Sequence, residues 1–298
     1  MGPRLRGDDS EGGDAVPDNA AHCTELVREA DRDRYLATLF APEDKRGALF
    51  ALYAFNIELI RIRDVAREPM PGEIRLQWWR EVLEGQRDGE AAAHPVASAL
   101  MEGLKRHAVT PDRLTGIVDA HQFDLYDEPM GTLDDLDNYA VMTQSALFDV
   151  AIAILGGAGR DAMMLMRGAG IAATVTWILT NLAKHVSRRQ MFVPLEVLER
   201  HKVDLGEVYA GKPTDAFKAA LAELRRHARR QMNAARAEVS HVPQAILPAL
   251  LPLALIGPTL RPMDRRGYEP FDVVPLSSLK RQWLIWRASR KPARIFEA

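Results

Sequence analysis

The sequence predicts an all-α fold, and three observations carry that expectation. Apolar residues recur at three- and four-residue spacing through most of the chain. No alternating strand-like run separates the periodic segments, and the breaks between them are short and marked by Pro or Gly. With 298 residues, 47% hydrophobic and 27% charged, the chain is long enough for one large core, so one helical domain over 21–298 is expected.

Residues 1–20, MGPRLRGDDSEGGDAVPDNA, are rich in Gly, Asp and Pro and have no apolar run, so they are expected to form a disordered lead-in. They have the features of neither a signal peptide nor a transit peptide. Helices are then expected at about 21–39, 43–67, 71–88, 94–108, 111–126, 133–155, 159–186, 195–200, 214–240, 244–260 and 276–289. Pro42 precedes the second, and EPMPGE at 68–73 separates the second from the third. TPDR at 110–113 reads as a cap with Pro in the first turn. LGGAGRD at 155–161 ends one helix and restarts the next; it lacks the strand and the Gly-Lys-Ser/Thr that a phosphate loop needs. The most apolar stretch, AILPALLPLALIGP at 245–258, is shorter than the ~20 residues that span a bilayer and is interrupted by prolines, so it is expected to be a buried core helix.

A net charge of -2 gives no global field for nucleic acid, and no recognition motif accompanies the local basic clusters, so nucleic acid is not an expected partner. The single cysteine, Cys23, excludes a disulfide framework; it is expected to be buried and fits a cytoplasmic location. The eight histidines are scattered without His-Glu-x-x-His, which leaves a zinc site unsupported.

The stretch ALYAFNIELIRIRDVARE at 51–68 puts Tyr53, Asn56, Ile60 and Asp64 on one stripe of a helix, the pattern of a cavity wall. Three longer blocks give that wall a context: DRDRYLATLFAPEDKRGALFALYAF at 31–55, DDLDNYAVMTQSALFDVAIAILG at 134–156 and WILTNLAKHVSRRQMFVPLEVLERHKV at 177–203. Together they resemble the squalene/phytoene synthase family, which joins two prenyl diphosphates head to head. The resemblance implies a trans-isoprenyl diphosphate synthase fold, helices around a central cavity. It also implies two aspartate pairs, each spaced by four residues, that hold Mg²⁺ against the diphosphates.

Those pairs are degraded. Anchoring on Tyr53-Ala54-Phe55 places Ile60 and Asp64 at the first pair, with Ile57 at the neighbouring family arginine and Arg61 and Arg63 nearby. Anchoring without a gap on Phe192-Val193-Pro194 places Asn181 and His185 at the second, with Thr180 replacing an arginine; a gapped register puts His185 and Arg189 there instead. Only Asp64 remains as a carboxylate, and it is the sole expected metal ligand. A compensating acidic set could come from Asp124, Asp127 and Glu128, although a solvated helix end is the plainer reading of FDLYDEP. The expected cavity residues are Tyr53, Asn56, Ile60, Asp64, Asp124, Asn181, His185, Arg188 and Arg189.

Four blocks, LFALYAFNIELIRIRD, GEIRLQWWREVLEG, LDNYAVMTQSAL and HVSRRQMFVP, are similar to the atypical branch of the family that contains the mitochondrial complex I assembly factor with a phytoene synthase-like domain and its bacterial relatives. That resemblance implies a non-catalytic protein without cofactor that supports assembly of respiratory complex I, with complex I subunits or assembly intermediates as partners. Two alternatives stay open. One is an active prenyl transferase whose rearranged Mg²⁺ site uses Asp64, Asp124, Asp127 and His185. The other is a protein that binds a prenyl diphosphate or prenyl-like lipid without converting it.

Three further features lie outside the resemblance. Trp78 and Trp79 with Arg75 and Arg80 could form a lid or pack against a neighbouring helix. Arg225, Arg226, Arg229, Arg230 and Arg236 lie on a helix with Leu224 and Met232 opposite, by default a solvated face. The C-terminal run LKRQWLIWRASRKPARIFEA has the composition of an interfacial anchor, which makes a membrane surface a candidate partner and a position peripheral to the inner membrane a candidate location; packing of its tryptophans on the core is the competing expectation.

Overall fold

The computed structural model describes residues 19–66, 68–157, 163–238 and 243–297. Residues 1–18 of the expected lead-in lie outside the described residues, while Asn19 and Ala20 already belong to the first helix. The first expected helix is split in two, α1 (Asn19–Ala30) and α2 (Arg32–Thr38). Asp31 causes the split, because its carboxylate caps α2 by accepting from the Arg34 backbone N–H.

Helix α3 (Glu43–Val65) is the axis of the fold and is buried almost all round from Ala48 to Ile62. Pro42 stands at its N-cap, and Glu43 and Asp44 in its first turn complement the helix dipole. Next come α4 (Pro69–Leu83), ended by Gly85 at φ +73, then α5 (Asp88–Ala93) and α6 (Pro95–Arg106). The expected helix at 111–126 is instead a 3-10 turn, α7 (Thr115–Ala120) and a second 3-10 turn at Phe123–Leu125.

The expected helix at 133–155 starts with a capping box, Thr132 with Asp135, and runs as α8 (Leu133–Ala140), a π-turn at Val141–Ser145 and α9 (Ala146–Ile154). The π-turn lies where α10 (Met163–Thr180) comes closest: a Cβ on Gly170 would stand 2.7 Å from the Ser145 backbone nitrogen. Of the glycine loop at 155–161, residues 158–161 lie outside the described residues.

Three short helices follow α10: α11 (Leu182–Ser187), α12 (Leu195–Arg200) and α13 (Leu205–Tyr209). Helix α14 (Asp215–Ala237) packs along α10 and buries Leu224 and Met232. Its basic row is not uniformly solvated. Arg225 is buried, donates to Asp264 at 3.0 Å and lies 5.1 Å from the Tyr268 ring centre.

The apolar segment after α14 is a chain of short pieces that includes α15 (Leu247–Leu250) and α16 (Ile256–Leu260). Pro248, Pro252 and Pro258 each lack an N–H and so interrupt a regular helix. Met163–Thr180 and Gln244–Asp264 are long and apolar enough to cross a membrane by length and composition, and both are mostly buried within the protein. The last helix, α17 (Ser278–Arg290), buries only Ile285 and Ala288.

Candidate functional site

A cleft of ≈ 730 Å³ opens between α3, the π-turn, the end of α10 and the segment leading into α17. On α3 the four-residue spacing brings Asn56, Ile60 and Asp64 to one wall. Asn56 is buried and its Oδ1 has no hydrogen-bond partner among the described residues. Ile60 offers only hydrocarbon. Asp64, at the mouth, accepts from Lys184 Nζ at 3.0 Å and forms a close ion pair with Arg188. Burial pushes the Asp64 carboxyl up, but the hydrogen bonds from Arg188 and Lys184 outweigh it and hold the group below the usual aspartate range.

The facing wall is built differently. Helix α10 ends at Thr180, and Asn181 sits in the break before α11 with φ -107 and ψ 14. Its side-chain amide donates back to the Trp177 carbonyl at 2.9 Å, the local competition by which Asn interrupts helices. Asn181 lines the cleft, but His185 does not. The His185 ring is 3% exposed and packs 4.6 Å from Trp177 and 4.8 Å from Phe192, centre to centre. Burial, with Lys184 and Arg188 adding to it, pushes its pKa down to about 3, so the ring is neutral.

Several expected cavity residues are placed elsewhere. Arg189 takes φ +57, which turns it out to lie 5.7 Å from the Tyr209 ring centre. Tyr53 is buried behind the wall under the Arg34 guanidinium, and burial raises its pKa to about 12. Asp124 is buried and engaged by Tyr139 Oη at 3.0 Å and by His121 Nδ1 at 2.6 Å. Asp127 pairs with Arg63 at 2.7 Å. The acids of the rearranged set are therefore each tied to a different partner and do not converge. Arg188 reaches the mouth, but as the partner of Asp64. Trp79 packs on Phe55 and Trp78 donates to Glu90, away from the cleft.

Sequence reasoning missed the opposite rim. Asp31 pairs with Arg34 at 2.7 Å, Asp33 with Arg281 at 2.5 Å, and Arg34 donates to Gln144 at 2.5 Å; all five line the cleft. The acid-base alternation of DRDR at 31–34 was the available signal. Lys184 was also missed, although its four-residue spacing from Arg188 puts both cations on one helix face. Arg61 lines the cleft with no ion pair among the described residues. Beneath Ile60 a recess of ≈ 20 Å³ is lined by His121, Tyr139, Thr143, Gln144, Thr174 and Trp177, and neither His121 Nε2 nor Thr174 Oγ1 has a hydrogen-bond partner among the described residues.

Mg²⁺ demands anionic oxygens in near-octahedral order. The family positions here hold a hydrocarbon, a self-bonded amide, a neutral core imidazole and an aspartate engaged by two cations. Among the described residues no three His, Cys, Asp or Glu converge to hold a metal. The donor set does not fit Mg²⁺.

Comparison with known proteins places this geometry. A rat protein described as NADH dehydrogenase (ubiquinone) complex I, assembly factor 6, is 28% identical over 91% of this chain and 84% of its own length. A 15-cis-phytoene synthase from Synechocystis is 24% identical over 66% of this chain and 62% of its own length. Among solved structures, a dehydrosqualene synthase in complex with ligand superposes with a TM-score of 0.76 at 16% identity, covering 91% of this chain and 95% of that one, and so shares the fold. The squalene/phytoene synthase profile matches residues 27–287, and the chain belongs to that family.

Proposed function

We propose that this protein is a non-catalytic member of its family that supports assembly of respiratory complex I, acting on complex I subunits or assembly intermediates from the cytoplasm, peripheral to the inner membrane. One observation carries the non-catalytic part: Asp64, the remaining family carboxylate, is neutralised by Lys184 and Arg188 rather than left open to a metal. Ionising a prenyl diphosphate requires its departing charge to be met by metal ions on carboxylates, and that chemistry has no seat here. The similarity to complex I assembly factor 6 along most of the chain supports the partner. Deleting the gene should lower the amount of assembled complex I and leave isoprenoid products unchanged. A normal complex I level in the deletion strain would refute the assembly role.

A second reading is favoured by the lining of the cleft: the protein holds a prenyl diphosphate or prenyl-like lipid without converting it. Apolar side chains such as Ile60, Phe148 and Trp177 suit a prenyl chain, and Arg61 and Lys184 at the mouth suit an anionic head. Mass spectrometry of the purified protein should find such a lipid, and a cleft empty of lipid counts against this reading.

A further inference from the structure

The outer side of α17 carries Leu279, Trp283 and Trp286 at i, i+4 and i+7, one continuous stripe. These side chains are 79%, 52% and 51% exposed. A single exposed apolar residue is ordinary, whereas a row of three with two tryptophans marks a contact surface. The helix also carries Lys280, Arg281, Arg287 and Arg290 and no carboxylate. Arg281 turns inward to Asp33, while Arg287 lies 5.1 Å from the Trp283 ring centre and Arg290 5.9 Å from that of Trp286. Each tryptophan therefore has a cation over its ring.

Two hollows flank this stripe. Beside Trp283, a pocket of ≈ 320 Å³ is lined by Arg261, Arg265, Lys280, Arg287 and Arg294 against a single carboxylate, Glu297. Arg287 and Arg294 share that carboxylate, at 3.4 and 4.0 Å. Arg261, Arg265 and Lys280 have no ion pair among the described residues. Beside Trp286, a hollow of ≈ 610 Å³ is walled by Phe40, Pro42, Leu247, Pro248 and Leu251. Surplus cations, half-exposed tryptophans and a wide apolar hollow thus lie side by side. An acidic protein surface would answer the cations and leave the apolar hollow unmatched. A bilayer interface answers all three, because Trp favours the headgroup level, cations meet lipid phosphates and acyl chains fill apolar hollows.

We propose that this face docks on an anionic phospholipid bilayer, with Trp283 and Trp286 entering the headgroup layer and Arg261, Arg265 and Lys280 meeting lipid phosphates. The inference deepens the peripheral location proposed above and rests on that part of the reading alone. The full-length protein should sediment with vesicles of phosphatidylcholine plus phosphatidylglycerol, bind phosphatidylcholine vesicles far more weakly, and lose affinity as salt is raised. Each cation near an anionic surface contributes roughly fivefold in affinity, so Arg261→Gln, Arg265→Gln and Lys280→Gln together should weaken binding on the order of a hundredfold. Trp283→Ala with Trp286→Ala should also release the protein, and thermal melts of both variants should match the parent. Failure of the parent to sediment with anionic vesicles, variants that bind as tightly as the parent, or capture of an acidic protein in place of vesicles would each overturn the proposal. No complex I is present in this assay, so a negative result leaves the assembly role standing, and normal complex I in a deletion strain leaves the docking face standing.

Discussion

On the α3 wall, Ile60 and Asp64 sit one helical turn apart and both face the cleft; on the opposite wall, Asn181 stands at the break before α11 and reaches the cleft, while His185, one turn further on, is turned into the core. One wall presents a hydrocarbon beside a single carboxylate, while the other presents one amide and buries its imidazole. Where the resemblance implies a metal between two acidic walls, α11 and its C-cap supply Lys184 and Arg188, so the walls attract each other directly through Asp64. Lys184 and Arg188 thus meet Asp64 with positive charge, which is the observation behind the proposed non-catalytic role.

The contrast is broken or sharpened most strongly at His185. His185→Asp would bury a carboxyl between Trp177 and Phe192 and should cost about 3 kcal/mol or more, read by urea unfolding. Ile60→Asp, at a partly open wall, should cost about 1 kcal/mol and restore no turnover. Equal losses at the two positions would erase the distinction between a core position and a cleft position. Gly170→Ala should cost about 1–3 kcal/mol, because a Cβ there collides with the π-turn backbone that floors the cleft.

The pH dependence gives a smaller and more specific signal. His185 is held at about 3 when folded and titrates near 6.5 when unfolded, so the unfolded chain binds the extra proton between these values. Stability should therefore fall as pH drops from about 6.5 toward 3, by at most about 1.4 kcal/mol per pH unit from this group. His185→Phe should flatten that slope in melts across the same range, and an unchanged slope would place the imidazole outside the core.

The smallest effect belongs to Asp64. Its lowered pKa makes its contribution present above the ordinary aspartate value and lost as pH falls through the folded one. The group is partly exposed, so Asp64→Asn should change stability by no more than about 1 kcal/mol in denaturant titrations.

The sequence disclosed most of the helices because their burial is written locally. Helix α3 is expected at 43–67 and found at Glu43–Val65, and α12 matches its expected 195–200. It hid the elements whose cause is distant or depends on one side chain. The π-turn depends on Gly170 approaching from another helix, and the break at Asn181 depends on where one amide finds its acceptor. In the cleft, Ile60 and Asp64 were legible from spacing alone. The burial of His185, the outward turn of Arg189 and the separate engagement of Asp124 were not, because each is decided by partners remote in the chain.

The central claim is that the cleft does not ionise prenyl diphosphates. The most direct test is to incubate the purified full-length protein with farnesyl or geranylgeranyl diphosphate and Mg²⁺ and to follow pyrophosphate release. Release no greater than in a control without protein is the predicted result. Pyrophosphate appearing in step with a head-to-head hydrocarbon product would contradict it.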